Sequence, residues 1–265
     1  MYASTAKQPG TVIEISDTGI IIEYDDKSKV GYTLGRCFGN AAGLVLPHSI
    51  VTNLKIGQKV KVDDVICYND GFFENDYLNP GQVVLKMGAT VKTALMESQS
   101  TLLDGSAISA NTAKLLETKT TKVKNVIVNF DQVIHKLAKV GSDLESEDIL
   151  CIIEDAVSAR TDLFDEESID TLRVLSSQTP QAKVKGKLER IEFYYHGDLE
   201  DMSESLRTIA NTFDKDLAKR NKSAGKPAFT GRVDGSYSID GKSLALDTCN
   251  IKFYITAVET AGLGD

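Results

Sequence analysis

Three histidines, four cysteines and one crowded run of carboxylates are the residues of this chain with the most obvious chemistry. Their spacing decides what that chemistry can be. His48, His135 and His196 form no HExxH pattern and no paired spacing, so no metal centre follows from them. His135, within Val133-Ile-His-Lys-Leu137, reads as a partly buried residue of a strand or helix. Cys37, Cys67, Cys151 and Cys249 stand far apart, with no CxxC and no neighbouring base. They read as reduced thiols acting as small apolar residues in a cytoplasmic-type compartment, not as a disulfide frame or zinc ribbon. There is no GxxxxGK phosphate loop and no GxSxG elbow, and Gly35, Gly39 and Gly43 lack a strand-to-helix context. Between Asp143 and Asp170 stand eleven acids and one base, Arg160. A solvated acidic face explains them more simply than acid–base catalysis does.

That segment carries a local charge of −10 against −8 for all 265 residues, which leaves the remainder at +2. The bulk charge therefore says nothing against an anionic partner. At 42% apolar and 26% charged, the composition excludes disordered and fibrous classes. The longest apolar run, counting glycine, is Ala41 to Leu46, far short of a membrane helix. The opening residues carry no visible signal peptide.

The elements that would position any site are mostly strands. Thr11 to Ser16 and Ile20 to Tyr24 flank Asp17-Thr-Gly19, a hairpin signal with a turn glycine. Short β-rich runs follow at Lys29 to Thr33, Lys59 to Val62, Val65 to Tyr68 and Gln82 to Leu85. From Val184 to Tyr195 basic and apolar residues alternate. Leu199, Met202, Leu206, Ile209 and Phe213 then follow a 3, 4, 3, 4 spacing, the seam of a long helix that needs a partner surface and ends in cations. Residues 164–175 place Ile169, Leu172 and Leu175 on one helical stripe behind acids. Gly231 to Tyr237, a turn at Ile239-Asp-Gly241, and Asp247 to Val258 return to β. One stretch echoes another: Lys55-Ile-Gly57 through Asp64-Val-Ile66 resembles Lys139-Val-Gly141 through Asp148-Ile-Leu150. Each predicts a tight glycine turn, a short strand, a second turn held by Asp, and a buried strand. The fold expected is mainly β with α insertions, of barrel and barrel-sandwich modules plus a helical arm.

Segment order adds a resemblance. Gly10-Thr-Val-Ile-Glu-Ile, Ile56-Gly-Gln-Lys-Val-Lys-Val-Asp-Asp-Val-Ile-Cys67, Asn79-Pro-Gly-Gln-Val-Val to Thr93-Ala-Leu-Met, Leu102-Leu-Asp-Gly-Ser-Ala-Ile-Ser109, Val140 to Leu150, Lys185-Gly-Lys-Leu-Glu-Arg-Ile-Glu-Phe193 and Asn250-Ile-Lys-Phe-Tyr-Ile-Thr256 stand in one order. In that order they resemble the second half of the β subunit of multi-subunit DNA-directed RNA polymerase, in a divergent bacteriophage-type version. No single piece is specific; the ordered set carries the likeness.

The resemblance implies a core and hybrid-binding portion at 1–110, a flap-like module at 111–182 with an acidic tip helix at 165–175, the basic strand and heptad helix of the flap at 183–230, and return strands at 231–265. It implies nucleotidyl transfer, with Mg2+ held mainly by a β′-like partner. Arg36 matches an arginine that meets the nucleotide's phosphates, a task suited to a planar fork; an exposed loop cation is the plainer alternative. Asn40 matches an asparagine of the same loop. Asp104 matches a carboxylate near the second metal, but Leu103 stands where the family has glutamate, and a turn residue beside Gly105 reads equally well. Ile169, Leu172 and Leu175 would dock a promoter-specificity, sigma-like factor, or pack on their own flap. Other implied partners are further polymerase subunits, DNA template and RNA–DNA hybrid in the cytoplasm, with no membrane. Gly264-Asp265 fall just before the family's lysine-containing K-M-A-G-R-H-G-N-K-G segment, so a divided subunit or fragment that is inactive alone is expected. The alternative from another class is a non-catalytic structural or interaction protein, such as a phage-particle component, that reuses β modules.

Overall fold

The computed structural model describes residues 3–41, 43–86, 88–95, 105–155 and 177–262. In chain order its strands begin with β1 (Ser4–Thr5), β2 (Gly10–Ser16), β3 (Gly19–Tyr24), β4 (Lys29–Thr33), β5 (Gly35–Ala41) and β6 (Leu44–Val51). Next come β7 (Lys59–Val60), β8 (Val65–Asn69), β9 (Phe73–Asn75) and β10 (Val83–Leu85), then the short helix α1 (Ala110–Leu115). β11 (Thr118–Asn129), β12 (Val133–Leu137), β13 (Asp143–Leu144), β14 (Cys151–Glu154) and β15 (Gly186–His196) precede the long helix α2 (Glu204–Ser223). β16 (Ser238–Ile239), β17 (Lys242–Ser243) and β18 (Thr248–Glu259) complete the order.

The protein is mainly β. A large antiparallel sheet runs β1-β8-β6-β11-β18-β15-β13 with β5 paired to β6, and a smaller one runs β4-β3-β2-β7. Among the described residues neither closes into a barrel. The described residues form two cores. Val12, Ile20, Ile22 and Val60 of the small sheet fill one together with Ile66 of β8, while Leu188, Phe193, Ile251, Phe253 and Ile255 of the large sheet fill the other with Leu206 and Ala210 of α2. The helix seam thus finds its partner inside the chain. The helix itself begins later than its spacing predicts: Leu199–Asp201 form a 3₁₀ turn, and Ser203 is the N-cap. Arg207 explains the break, since its guanidinium donates to the carbonyls of Leu199 (3.0 Å), Glu200 (2.7 Å) and Met202 (3.0 Å), holding them off the helical path.

The echoed units have the same backbone bonds, and the likeness extends beyond the predicted stretch. Gly57 and Gly141 both have positive φ (81° and 94°). Gly57 N–H donates to the Val12 carbonyl at 2.8 Å, and Gly141 N–H to that of Leu188 at 2.7 Å. Asp64 accepts from the N–H of Lys61 (2.7 Å), and Asp148 from that of Glu145 (2.8 Å). Both aspartate carbonyls accept from a buried alanine, Ala6 or Ala182, at 2.9 Å. Ala6-Lys-Gln-Pro-Gly-Thr-Val12 therefore corresponds to Ala182-Lys-Val-Lys-Gly-Lys-Leu188, with the strand before the glycine unit in one copy and after it in the other. Even the bulges match, between Val12 and Glu14 on β2 and between Leu188 and Arg190 on β15.

Three expectations change. Residues 35–40, read as a loop, are strand β5, in hairpin with β6. Gly19 does not have the positive φ of a turn glycine; it opens β3 where a Cβ would overlap the carbonyl of Ser223, and Gly31 likewise faces that of Ala224. These two glycines let the C-terminal end of α2 abut the small sheet. No strand is expected over 118–129, where lysines interrupt the apolar pattern, yet β11 pairs with β18 along its whole length. The tip helix 165–175 lies outside the described residues.

Candidate functional site

The bulge on β15 sets up the site. Leu188 stands opposite Ile255 and Ile191 opposite Phe253, so both apolar residues join the core while Glu189 and Arg190 between them are free to reach β5. Arg36 donates from Nε and Nη2 to the two carboxylate oxygens of Glu189, each at 2.7 Å, and from Nη1 to Ser49 Oγ at 3.4 Å. With side chains 31% and 19% exposed, this is a half-buried, bidentate pair. Arg190 Nη2 donates to the Arg36 carbonyl at 2.5 Å, and its guanidinium lies 5.0 Å from the Phe38 ring centre, which stacks on Tyr254 at 4.5 Å.

A polar and aromatic strip continues from there. Arg190 Nη1 pairs with Glu192 at 3.5 Å, and Glu192 Oε2 accepts from the hydroxyls of Tyr254 (2.8 Å) and Tyr194 (3.1 Å). Burial first, and the Glu192 charge second, push both hydroxyls above the usual tyrosine range, so they stay donors. Lys252 lies over Tyr194 (5.3 Å) and Tyr237 (5.1 Å). Asn250 Nδ2 reaches Asn125 Oδ1 (3.2 Å) and Tyr237 (3.3 Å), while its fully buried Oδ1 has no partner among the described residues.

The Arg36–Glu189 pair opens onto a cleft of about 710 Å³ between the two cores. Leu34, Ile209, Phe213 and Leu217 give it an apolar lining, and Asp17, Asp216, Arg220 and Lys226 bring charges of both signs. Such a volume suits a small ligand or the side chains of a bound peptide.

Of the sequence-predicted site residues, Arg36 is in this constellation. Asn40 is on the same strand but four residues away, roughly 13 Å, exposed and opposite Val45; the two do not converge. Asp104, Ile169, Leu172 and Leu175 lie outside the described residues. His135 is on β12, exposed, and paired with Glu154. His48 sits 4.9 Å from Phe72, and burial followed by Arg36 holds its imidazole below the ordinary value. The cysteines are all free. Burial pushes the thiols of Cys151 and Cys249 up to about 12, which makes them inert packing residues. Among the described residues no group of three His, Cys, Asp or Glu could hold a metal ion. Sequence reasoning missed Glu189, Glu192, Phe38 and Tyr254. A signal existed: Leu188, Ile191 and Phe193 break two-residue alternation once, and that break is the bulge.

No protein-family model and no curated protein matches the sequence. Among the described residues no helix is long and apolar enough to cross a membrane.

Proposed function

We propose that this chain is a portion of the β-like subunit of a multi-subunit DNA-directed RNA polymerase, built from barrel-sandwich-type modules. The observation that carries the reading is the order of its motifs, which from Gly10 to Asp265 resembles the family's order. The two glycine-turn motifs of that order, at 55–66 and 139–150, have matching hydrogen bonds, which supports reading them as one recurring module. In this reading a β′-like partner supplies the metal-binding carboxylates that hold Mg2+. The ion would neutralise phosphate charge as phosphoryl transfer proceeds. This chain contributes cations and hydrogen-bond donors beside the nucleotide and the RNA–DNA hybrid, and residues 165–175 dock the promoter-specificity factor.

Arg36 is the residue through which the chain would touch the reaction. Its charge is held in place by Glu189, so an arriving phosphate competes with that carboxylate for the fork and finds the Nη1 edge first. Replacing Arg36 with Ala in the assembled enzyme should slow nucleotide addition by about 10-fold or more, the loss of one charge-assisted contact, as measured by single-turnover extension of a primed template. Unchanged elongation removes Arg36 from the site.

One observation favours a second reading, a non-catalytic structural or interaction protein. Because Glu189 takes Nε and Nη2 of Arg36, the pair already has a sufficient purpose in tying β5 to β15. Chains copurifying from the native source separate the readings. A neighbour bearing the family's N-A-D-F-D-G-D segment and RNA synthesis by the complex support the polymerase. A complex without RNA synthesis supports the alternative.

A further inference from the structure

β11 is twelve residues long and pairs along its whole length with β18 on one side. On its other side β6 pairs with it only at Thr121, opposite Val45, and the β5–β6 hairpin turns back just beyond. Among the described residues no strand pairs with Val123 to Val128 on that side. With respect to the described residues, alternate N–H and C=O groups there form an open sheet edge, the arrangement that templates another strand.

The side chains say which strand. Lys122 and Lys124 project from one face, exposed and half-buried respectively, and neither is in an ion pair among the described residues. Ile127, on the opposite face, is 55% exposed. Antiparallel pairing with a second copy centred on Val123 would set Lys122 against Lys124, which is destabilising, and pairing centred on the free stretch would set Lys124 against Ile127 with no carboxylate to meet it. A strand with a carboxylate opposite Lys124 meets one lysine directly and Lys122 on the diagonal, and an apolar residue three positions along covers Ile127.

We infer that the free edge of β11 is a binding site for an extended, acidic strand of another polypeptide, added to the large sheet by backbone hydrogen bonds, with Lys122 and Lys124 selecting its charge. The inference is independent of the polymerase reading.

The test uses the full chain and two labelled eight-residue peptides, one alternating glutamate with valine and one alternating lysine with valine. The glutamate peptide should bind by fluorescence anisotropy and slow amide exchange at alternate residues between Val123 and Val128 by about tenfold or more. The pair Lys122→Glu and Lys124→Glu should weaken its binding by about tenfold, roughly 1.4 kcal/mol, with the far-UV spectrum unchanged. Should that variant misfold, Lys124→Gln gives the same reading with a smaller loss. Three results overturn the inference: no slowing at these amides, equal binding of both peptides, or slowing that rises with protein concentration when no peptide is present.

Discussion

Two regions share one backbone plan and differ in what is mounted on it. In the first, Ala6 to Val12 and Gly57 to Ile66 frame a strand, β2, that continues with Glu14, Ile15 and Ser16. In the second, Gly141 to Leu150 and Ala182 to Leu188 frame β15, which continues with Arg190, Glu192 and Tyr194. The glycine turn, the aspartate turn, the paired alanine and the bulge recur. Only the second bulge carries a charged pair, Glu189-Arg190, and only there does the strand tie to β5 through Arg36. The frame is thus a packing solution that can stand alone, and the candidate chemistry is an addition at one bulge.

The largest test of that equivalence is at the glycines that open the two strands. A Cβ on Gly10 would lie 2.6 Å from the Glu23 carbonyl, and one on Gly186 would lie 2.5 Å from that of Thr256. Both contacts are with backbone, which cannot swing aside. Gly10→Ala and Gly186→Ala should each destabilise the protein by about 3 kcal/mol in urea unfolding. If one is tolerated, the two frames are not equivalent where their strands begin.

A smaller effect distinguishes the copies. Arg36→Ala leaves Glu189 half-buried without its partner and should cost about 2 kcal/mol, whereas Arg36→Ala with Glu189→Ala together should cost less than the sum. A double-mutant cycle on unfolding free energies measures the coupling, expected at about 1 kcal/mol. Zero coupling would reduce the pair to a surface contact and undo the contrast between the bulges. The smallest effect returns to what the copies share: Asp64→Ala and Asp148→Ala each remove one carboxylate-to-backbone bond, at about 1 kcal/mol apiece, read by the same unfolding curves. Unequal losses would show that the second turn matters in one frame only.

Much of the frame was legible in the residues. Lys29 to Thr33 reads as a strand and is β4, and the turn at Asp240-Gly241 has positive φ at both residues, as a tight hairpin requires. The echo of Gly57 to Asp64 in Gly141 to Asp148 was visible as spacing alone. Its extension to Ala6 and Ala182 was not, because the order of the parts is exchanged along the chain and only the shared hydrogen bonds align them. β5 and β11 escaped for a physical reason. Glycine at 35 and 39 and lysine at 119, 122 and 124 lower local β preference, and pairing with neighbours overrides it.

By itself the sequence determined the class, mainly β with one long amphipathic helix, and the local devices that need no distant partner: turn glycines, aspartate turns and helix-end cations. It also identified Arg36 as a residue worth watching. The tertiary structure alone decided that Arg36 meets Glu189, 153 positions away, and that Glu189 and Arg190 share a bulge that turns them toward β5. The same holds for the helix end that Gly19 and Gly31 admit. Turns are fixed by the conformational limits of a few adjacent residues, whereas a bidentate ion pair and a close backbone approach depend on which strands become neighbours. That choice belongs to the burial of both cores at once.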